Sequence, residues 1–302
     1  MYDVIIIGGG FAGLAAATQL GRARRKVLVL DTGKPRNRFA KEAHGFLSRD
    51  GAAPAELLAE ARRQLDIYGT IEVRNAEAIA ASGELDGFTL ELASHQQLAA
   101  RRLILAHGVT DDLSGFPGMA ECWGKTVLHC PYCHGYEVAD QRLGLMLRDG
   151  DILDRARFFS EWTSDLTLFA NGVPVDSLVR AVLADMRVKL VEEALVRFEH
   201  QDGVLTSVVT TAGSTPLDAF FAHAPIQLSS NLGLQLGCET KPGMAGDFFL
   251  VDHAQQTSIP GVYAAGDAAR PMHNISFAVA DGAGAGIFAH QSLVATSAAP
   301  GK

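Results

Sequence analysis

The hydrophobic pattern at the start of the chain predicts a strand, a turn and a helix in quick succession. Val4–Ile7 is a short β-branched run, typical of a strand that is buried on both faces. A glycine-rich turn follows at once, and the Ala- and Leu-rich stretch Leu14–Arg22 is typical of a helix. A second strand, Lys26–Leu30, ends at Asp31. This order of elements indicates an α/β fold.

Apolar runs separated by turns continue along the rest of the chain. Pro54–Tyr68 carries leucines near helical spacing, and residues 71–106 alternate enough to predict short strands that return to the sheet. The later predicted elements are strands at Arg102–Ala106, Leu143–Leu147, Asp165–Ala170, Lys189–Val191, Gly203–Val209 and Thr257–Ala264, and an apolar helix that starts at Ile275.

The glycine-rich turn after the first strand predicts a dinucleotide site. Gly8, Gly10 and Gly13 satisfy G-x-G-x-x-G, with Ala12 inside the motif. Such glycines allow a tight turn and a close approach of a pyrophosphate, and the helix start supplies N–H donors. Asp31 follows at about 20 residues, where a carboxylate can accept hydrogen bonds from ribose hydroxyls. The alternative is a glycine-rich turn without a ligand.

Composition and charge narrow the class of protein. The 302 residues are enough for about two domains. A net charge of −8 argues against nucleic acid or an anionic membrane surface as a partner. No apolar run is long enough to span a bilayer, and Asp3 precedes the first apolar run, so we expect neither a membrane span nor a signal peptide. The expected compartment is therefore the cytoplasm.

The cysteines include one close pair, Cys130 and Cys133, in the C-x-x-C string His129–Glu137. In a reducing compartment this spacing favours redox chemistry, and a protonated His129 or His134 would favour the reactive thiolate. The alternatives are an inert buried pair or half of a zinc site. Zinc is disfavoured because each histidine adjoins a cysteine, and adjacent side chains do not converge easily on one tetrahedral centre. We expect no metal, and we interpret Cys122 and Cys238 as buried apolar fillers.

Two later segments resemble those of the two-dinucleotide-domain flavoprotein disulfide reductases. They are Ala106-His107-Gly108, where the family usually has Ala-Thr-Gly, and the strand that ends at Gly266-Asp267. In that family the Gly-Asp pair contacts FAD, and the following helix points its N-terminus at the flavin ring; here that helix offers Ile275, Ser276 and Ala278. The resemblance implies an α/β protein of two Rossmann-like, three-layer ββα domains, the second inserted in the first. The FAD-binding domain would span 1–110 and 237–302, and the insert 111–236.

The position of the C-x-x-C string makes the chain similar to low-molecular-weight thioredoxin reductases. That resemblance implies that Cys133 contacts the flavin, that Cys130 exchanges with the substrate, and that the protein is a homodimer. The family has an acid after the second cysteine; here His134 takes that position and is the first choice for proton transfer, followed by His129 and Glu137. The string Cys-Pro-Tyr-Cys-His-Gly-Tyr-Glu resembles a branch that includes the dithiol oxidases of gliotoxin, holomycin and romidepsin biosynthesis.

The predicted second nucleotide site departs from the thioredoxin reductase pattern. Where that family has a glycine-rich turn after its second-domain strand, this chain reads Arg148-Asp149-Gly150-Asp151-Ile152-Leu153-Asp154. Side chains there would keep a pyrophosphate from the backbone, and one carboxylate about 6 Å from a phosphate charge costs roughly 2–3 kcal/mol at an effective dielectric near 20. The next strand ends in Asn171-Gly172, without the basic residues that the family uses for the 2′-phosphate. NADPH is therefore doubtful as a cofactor.

These observations predict an FAD enzyme that passes electrons between a dithiol or disulfide substrate, the Cys130/Cys133 pair and flavin. The substrate would be a small dithiol or disulfide, or a thioredoxin-like protein. Without NADPH, the enzyme would be a dithiol oxidase that uses O2, or a reductase supplied by another donor such as ferredoxin. The alternatives are an NADPH-dependent thioredoxin reductase and a non-catalytic flavin redox sensor.

Overall fold

The computed structural model describes residues 1–148 and 151–297, so two residues of the predicted second turn, Asp149 and Gly150, lie outside the described part. The strands, in chain order, are β1 (Tyr2–Ile7), β2 (Val27–Asp31), β3 (Ile71–Asn75), β4 (Ala78–Ser82), β5 (Phe88–Leu92), β6 (Gln97–Leu105), β7 (Val109–Asp111), β8 (Val127–Leu128), β9 (Leu143–Met146), β10 (Leu166–Phe169), β11 (Lys189–Val191), β12 (Leu195–Gln201), β13 (Val204–Thr210), β14 (Gly213–Pro216), β15 (Ala219–Phe221), β16 (Ile226–Leu228), β17 (Thr240–Pro242), β18 (Asp247–Phe249) and β19 (Val262–Ala264).

The helices are fewer, and most of them are short. They are α1 (Phe11–Arg22), α2 (Pro54–Leu65), α3 (Met119–Cys122), α4 (Pro131–His134), α5 (Ile152–Phe159), α6 (Ser177–Asp185), α7 (Leu232–Gln235) and α8 (Ile275–Ser297), with 3₁₀ turns at Arg36–Phe39 and Gly266–Ala269. Within the described residues, none of these helices is both long enough and apolar enough to cross a bilayer.

The first sheet is built around β1 and β6. Its order is β3-β2-β1-β6-β5-β4, and β19 also pairs with β6. The pairs β1–β2, β2–β3, β1–β6 and β6–β19 are parallel, whereas β4–β5 and β5–β6 are antiparallel. Val4, Ile5 and Ile6 are completely buried, as the β-branched run predicts for a strand that is covered on both faces.

Helices α1 and α8 approach each other closely, because glycine stands on α8 where they cross. A Cβ on Gly282 would lie 2.0 Å from the carbonyl oxygen of Ala12, and one on Gly286 would lie 2.6 Å from that of Ala16. Any side chain at these two positions would separate the helices. The predicted Ala- and Gly-rich helix is thus fixed against the helix that follows the glycine motif.

The second sheet is parallel throughout, with the order β11-β10-β9-β15-β8. Its strands lie between residues 127 and 221, and an antiparallel sheet, β12-β13-β14, extends from the same stretch. The structure therefore has the predicted α/β class with two Rossmann-like units. An antiparallel pair, β7 with β16, lies where the chain enters and leaves the second unit. The predicted domain limits fall near these strands and stay a prediction.

Candidate active site

The turn between β1 and α1 leaves one of its three motif glycines facing open space. Gly8 has φ +105°, and a Cβ on it would lie 2.3 Å from the carbonyl oxygen of Ala106. A Cβ on Gly13 would lie 1.9 Å from the carbonyl oxygen of Gly8. A Cβ on Gly10, by contrast, has no described atom within 4 Å. Gly8 and Gly13 thus close the turn, and Gly10 leaves room for a ligand at the start of α1.

A cleft of about 1030 Å³ begins at this turn and collects most of the predicted residues. Its volume is at the upper end for a small-molecule or cofactor site. Four of the predicted residues, Gly13, Cys130, Glu137 and Ser276, are not part of the lining as the structure describes it. The predicted residues that line the cleft are Gly8, Gly10, Ala12, Asp31, Ala106, Gly108, His129, Cys133, His134, Gly266, Asp267, Ile275 and Ala278.

Asp31 lies at the end of β2, at the edge of the cleft, as the motif predicts. Its carboxylate accepts hydrogen bonds from the Gly33 amide, at 3.2 Å, and from the Arg62 guanidinium. Arg62 is on α2 and also lines the cleft. The sequence did not identify Arg62, because it stands on a helix whose pattern predicted only packing.

Asp267 is held by a cation that the sequence analysis also missed. Arg36 donates from Nη1 to Asp267, at 2.9 Å, and from Nε and Nη2 to Asp111, at 2.9 and 2.6 Å. Burial opposes the charge of Arg36, but the two carboxylates outweigh burial and raise its pKa above the ordinary value. His273 contacts the same Nη1 at 2.6 Å. The late Gly-Asp pair is therefore tied to the loop after β2.

His107, which stands where related flavoproteins usually have threonine, is neutral. Burial lowers its pKa to about 4. Its Nδ1 lies 2.9 Å from the carbonyl oxygen of Gly108, so in the neutral ring Nδ1 carries the proton and donates it. Nε2 is then an acceptor, and it is buried without a hydrogen-bond partner among the described residues. An acceptor of this kind in a cleft wall suits a ligand that brings a donor.

The residues present fit FAD. The turn at Gly8–Gly13 has room for a pyrophosphate, Asp31 can accept hydrogen bonds from a ribose, and His107 offers a free acceptor. Gly266 has φ +72°, and a Cβ added to it would lie 3.0 Å from the Cβ of Ala12. The lack of a side chain at Gly266 therefore lets the segment after β19 approach the start of α1. The segments that were predicted separately to bind the cofactor thus line one cleft.

Cys130 and Cys133 are joined in a disulfide at the edge of this cleft. Cys130 is the N-cap of α4, and Cys133 is on α4 and lines the cleft beside His134. A disulfide is one of the two states between which a redox-active cysteine pair alternates, and the role of this pair stays a prediction. Cys122 and Cys238 are free and buried, and burial raises the pKa of both thiols, as expected of inert cysteines.

The three predicted acid–base groups have different surroundings. Burial lowers the pKa of His134, and the Glu137 carboxylate partly offsets this effect. His129 stacks on Trp123, and burial followed by the charge of Arg36 lowers its pKa to about 4, so it is neutral near pH 7. Glu137 Oε1 lies 3.5 Å from Nε2 of His44, whose ring centroid is 6.3 Å from that of His134. Glu137 is thus close to His44, a residue that the sequence analysis missed, and the role of Glu137 stays a prediction.

The start of α5, where the second nucleotide would bind, is occupied by the chain itself. The side chain of Asp151 accepts from the amides of Leu153, at 2.9 Å, and Asp154, at 3.2 Å. Arg148 donates to the carbonyl oxygen of Met244. After β10, the Asn171 side chain accepts from the Leu195 amide at 2.8 Å. A carboxylate thus uses the amides that bind phosphate in dinucleotide sites.

Comparisons with known proteins agree with this geometry. The sequence pattern of the pyridine nucleotide-disulphide oxidoreductase family matches residues 2–146 and 168–282 of this chain. The turn after β9 and helix α5 lie between the two matched ranges. A protein named thioredoxin reductase tcpT, from Claviceps purpurea, is 34% identical over 97% of this chain and 94% of its own length. Thioredoxin reductase sirT, from Leptosphaeria maculans, is 30% identical over 95% of this chain and 92% of its own.

Solved structures show the same fold. An oxidoreductase from Agrobacterium tumefaciens is similar with a TM-score of 0.90 and 40% identity, over 97% of this chain and 98% of that one. The crystal structure of HlmI is similar with a TM-score of 0.89 and 35% identity, over 99% of this chain and 94% of that one.

Proposed function

We propose that this chain, which belongs to the pyridine nucleotide-disulphide oxidoreductase family and is therefore a flavoprotein disulfide oxidoreductase, oxidises dithiols without using NADPH. One observation carries the proposal. The redox disulfide opens through Cys133 onto the cleft that fits FAD, while at the second nucleotide position Asp151 caps the helix that would bind the phosphates. Electrons can therefore pass from the cysteines toward the flavin site, but a pyridine nucleotide meets a carboxylate.

The proposed reaction begins with exchange between the substrate and the disulfide. A substrate thiolate attacks Sγ of Cys130, the Cys130–Cys133 bond breaks, and Cys133 leaves as a thiolate. The second substrate thiol then attacks the mixed disulfide and releases Cys130, so the substrate loses two electrons and two protons. When bound, FAD supplies the two-electron acceptor that reoxidises the pair, with O2 as the final acceptor. Ferredoxin as a donor would drive the reverse direction.

His134 is the proposed proton carrier. Because burial lowers its pKa, its imidazole is neutral near pH 7 and can accept the proton of an attacking thiol. It shares the cleft wall with Cys133 and with His44, which lies within 3.7 Å of the carboxylates of Glu42, Asp50 and Glu137. These groups offer a proton taken up by His134 a route to solvent along the cleft wall.

NADPH-dependent thioredoxin reduction is the second candidate, since the relatives tcpT and sirT are named thioredoxin reductases. An anaerobic titration of the flavin-loaded enzyme separates the two. We expect a small dithiol such as dithiothreitol to bleach the flavin absorbance, NADPH to leave it unchanged, and air to restore it. Rapid stoichiometric bleaching by NADPH would overturn the proposal in favour of a reductase. Lack of turnover with any dithiol or disulfide, together with a redox-dependent change in partner binding, would favour the non-catalytic redox sensor.

A further inference from the structure

A second cavity lies beside the redox disulfide, next to helix α5. Its volume is about 300 Å³, at the lower end for small-molecule sites. His129 and Pro131, the two neighbours of Cys130 in the chain, form one part of its wall, and Phe158 and Phe159 form another. The first cleft is lined by Cys133, and His129 lines both cavities, whereas Cys130 itself is not part of the described lining of either.

Arg155 brings a half-buried positive charge to this cavity. Its Nη2 donates to Nε2 of His223 at 3.2 Å, and burial, followed by the charges of Arg155 and Arg148, lowers the pKa of His223 to about 4, so this histidine is a neutral acceptor. Nε of Arg155 is buried and has no hydrogen-bond partner among the described residues. The one acidic residue in the described lining, Asp154, is exposed and pairs with Arg157 instead, at 3.0 Å.

Nε of Arg155 lacks an acceptor among the described residues, and the acceptor of Nη2 is a neutral histidine. Burial, followed by the charge of Arg148, lowers the pKa of Arg155, so both effects disfavour its charged form. Unpaired donors are rare in protein interiors, because each costs the desolvation of a polar group. A ligand oxygen that accepts from Nε would remove this cost. A carboxylate or an amide carbonyl has the required chemistry.

The rest of the cavity is apolar and aromatic. Phe158 contacts Trp162, with ring centroids 5.1 Å apart, and Tyr132 contacts both rings at 5.8 Å. Tyr132 is 76% exposed although it stands between the two cysteines of the motif. Exposed aromatic side chains at the mouth of a small cavity favour an apolar ligand body.

We propose that this cavity binds the body of a small dithiol whose carboxylate or amide carbonyl accepts a hydrogen bond from Arg155. The assignment deepens the proposed function and rests on it. With the acceptor on Arg155 and the apolar body against Phe158, a substrate thiolate is brought near Cys130, because both chain neighbours of Cys130 line the cavity. The exchange is the one written above: the substrate sulfurs join, the Cys130–Cys133 bond breaks, and the pair takes up two electrons and two protons.

Binding of oxidised lipoate, a cyclic disulfide with an apolar chain and a carboxylate, tests the assignment without turnover. Quenching of tryptophan fluorescence reports it, since Trp162 contacts Phe158. We expect Arg155→Leu to weaken binding by about 10- to 100-fold, the range for a lost hydrogen bond to a charged group, and Arg155→Lys to weaken it less. Arg180→Leu, at an exposed arginine on α6 outside the described lining of the cavity, is the control and should change binding less than twofold.

The comparison with lipoamide separates the two acceptors. Equal affinities for lipoate and lipoamide indicate an amide-type acceptor, and tighter binding of lipoate indicates a carboxylate. An alkyl disulfide of equal length, which has no acceptor, is the reference ligand. Either result supports the site if the wild type binds lipoate more tightly than this reference and Arg155→Leu binds the two equally. Wild-type binding by Arg155→Leu, or displacement of lipoate by NADPH, would overturn the assignment.

Flavin bleaching by two dithiols separates a failure of this site from a failure of the proposed function. Dithiothreitol has no carboxylate or carbonyl, so Arg155→Leu should react with it as the wild type does, while its reaction with dihydrolipoate slows at least tenfold. Equal slowing with both dithiols would reject the site and leave dithiol oxidation in place. If neither dithiol bleaches the wild-type flavin, the proposed function is wrong, and lipoate binding still decides whether Arg155 forms a site.

Discussion

Arg36 donates a hydrogen bond of 2.9 Å to the carboxylate of Asp267, 231 positions later in the chain. The same guanidinium holds Asp111 on β7 through two further bonds. All three side chains are largely buried, with exposed fractions of 18%, 20% and 6% for Arg36, Asp267 and Asp111. One cation thus joins three segments of the flavin cleft, and it compensates part of the negative charge of two largely buried carboxylates.

Replacement of this cation should damage both stability and cofactor retention. Arg36→Leu leaves two buried carboxylates without their partner, and we expect a loss of about 3–5 kcal/mol in the free energy of unfolding. Urea unfolding and the ratio of flavin to protein after gel filtration measure the two effects. Arg49→Leu, an exposed arginine outside the described cleft lining, is the control. An unchanged unfolding free energy with full flavin content would contradict this role of Arg36.

Serine substitutions of Cys130 and Cys133 should have different effects on the reaction with a disulfide. Cys133→Ser leaves Cys130 as a free thiol that can attack a disulfide but has no second cysteine to resolve the product, so incubation with a linear alkyl disulfide should release one alkyl thiol and leave a mixed disulfide on Cys130 that is visible by mass spectrometry. Cys130→Ser should form none. Both variants should lose turnover by about 10³-fold or more, as expected when a nucleophile is removed. Cys122→Ala, at a buried free cysteine, should keep its turnover; a stable adduct on Cys130→Ser would reverse the two roles.

The pH dependence of dithiol oxidation should reflect the protonation state of His134. Burial lowers its pKa below the ordinary 6.5, so the neutral base form is complete above that pH and is lost as the pH falls through the lowered pKa. We expect the rate of anaerobic flavin reduction to drop on the acid side of about pH 6.5, and His134→Ala to remove this acid limb together with about 10²–10⁴-fold in rate. His95→Ala, at a surface histidine, is the control. An unchanged acid limb in His134→Ala would assign it to another group.

Substitutions of Asp151, the N-cap of α5, should separate the effect of its charge on NADPH binding from its effect on stability. Asp151→Ser keeps a capping oxygen but removes the charge, so stability should change little, whereas Asp151→Ala should cost about 1 kcal/mol. The loss of one carboxylate near a phosphate should also strengthen NADPH binding by about tenfold at low salt. Asp176→Ser, at the matching cap of α6, should leave NADPH binding unchanged. If Asp151→Ser has no effect on NADPH affinity, repulsion at this turn is not what weakens the nucleotide site.

Local pattern was enough to predict the family, the fold class and most of the elements. The β-branched run at Val4–Ile7, the glycine turn and Asp31 lie together in sequence, so their spacing alone predicts a strand, a turn and a second strand, and β1, α1 and β2 are found there. The family assignment is confirmed by the match over residues 2–146 and 168–282. The roles of the single site residues stay predictions.

The residues that the sequence analysis missed are those whose roles depend on distant partners. Arg36, Arg62 and His44 stand in loops or on a helix face with no motif around them, and their partners Asp267, Asp31 and Glu137 are brought to them only by folding.

The sequence by itself determined which backbone turns can form and which residue types carry redox chemistry, because steric limits and thiol chemistry act over a few neighbouring residues. Only the tertiary structure decided which charges are buried together, which of them remain without a partner, and that Cys133 lines the flavin cleft while the two chain neighbours of Cys130 line a second cavity, because burial and electrostatic pairing depend on distances between segments that are far apart in the chain.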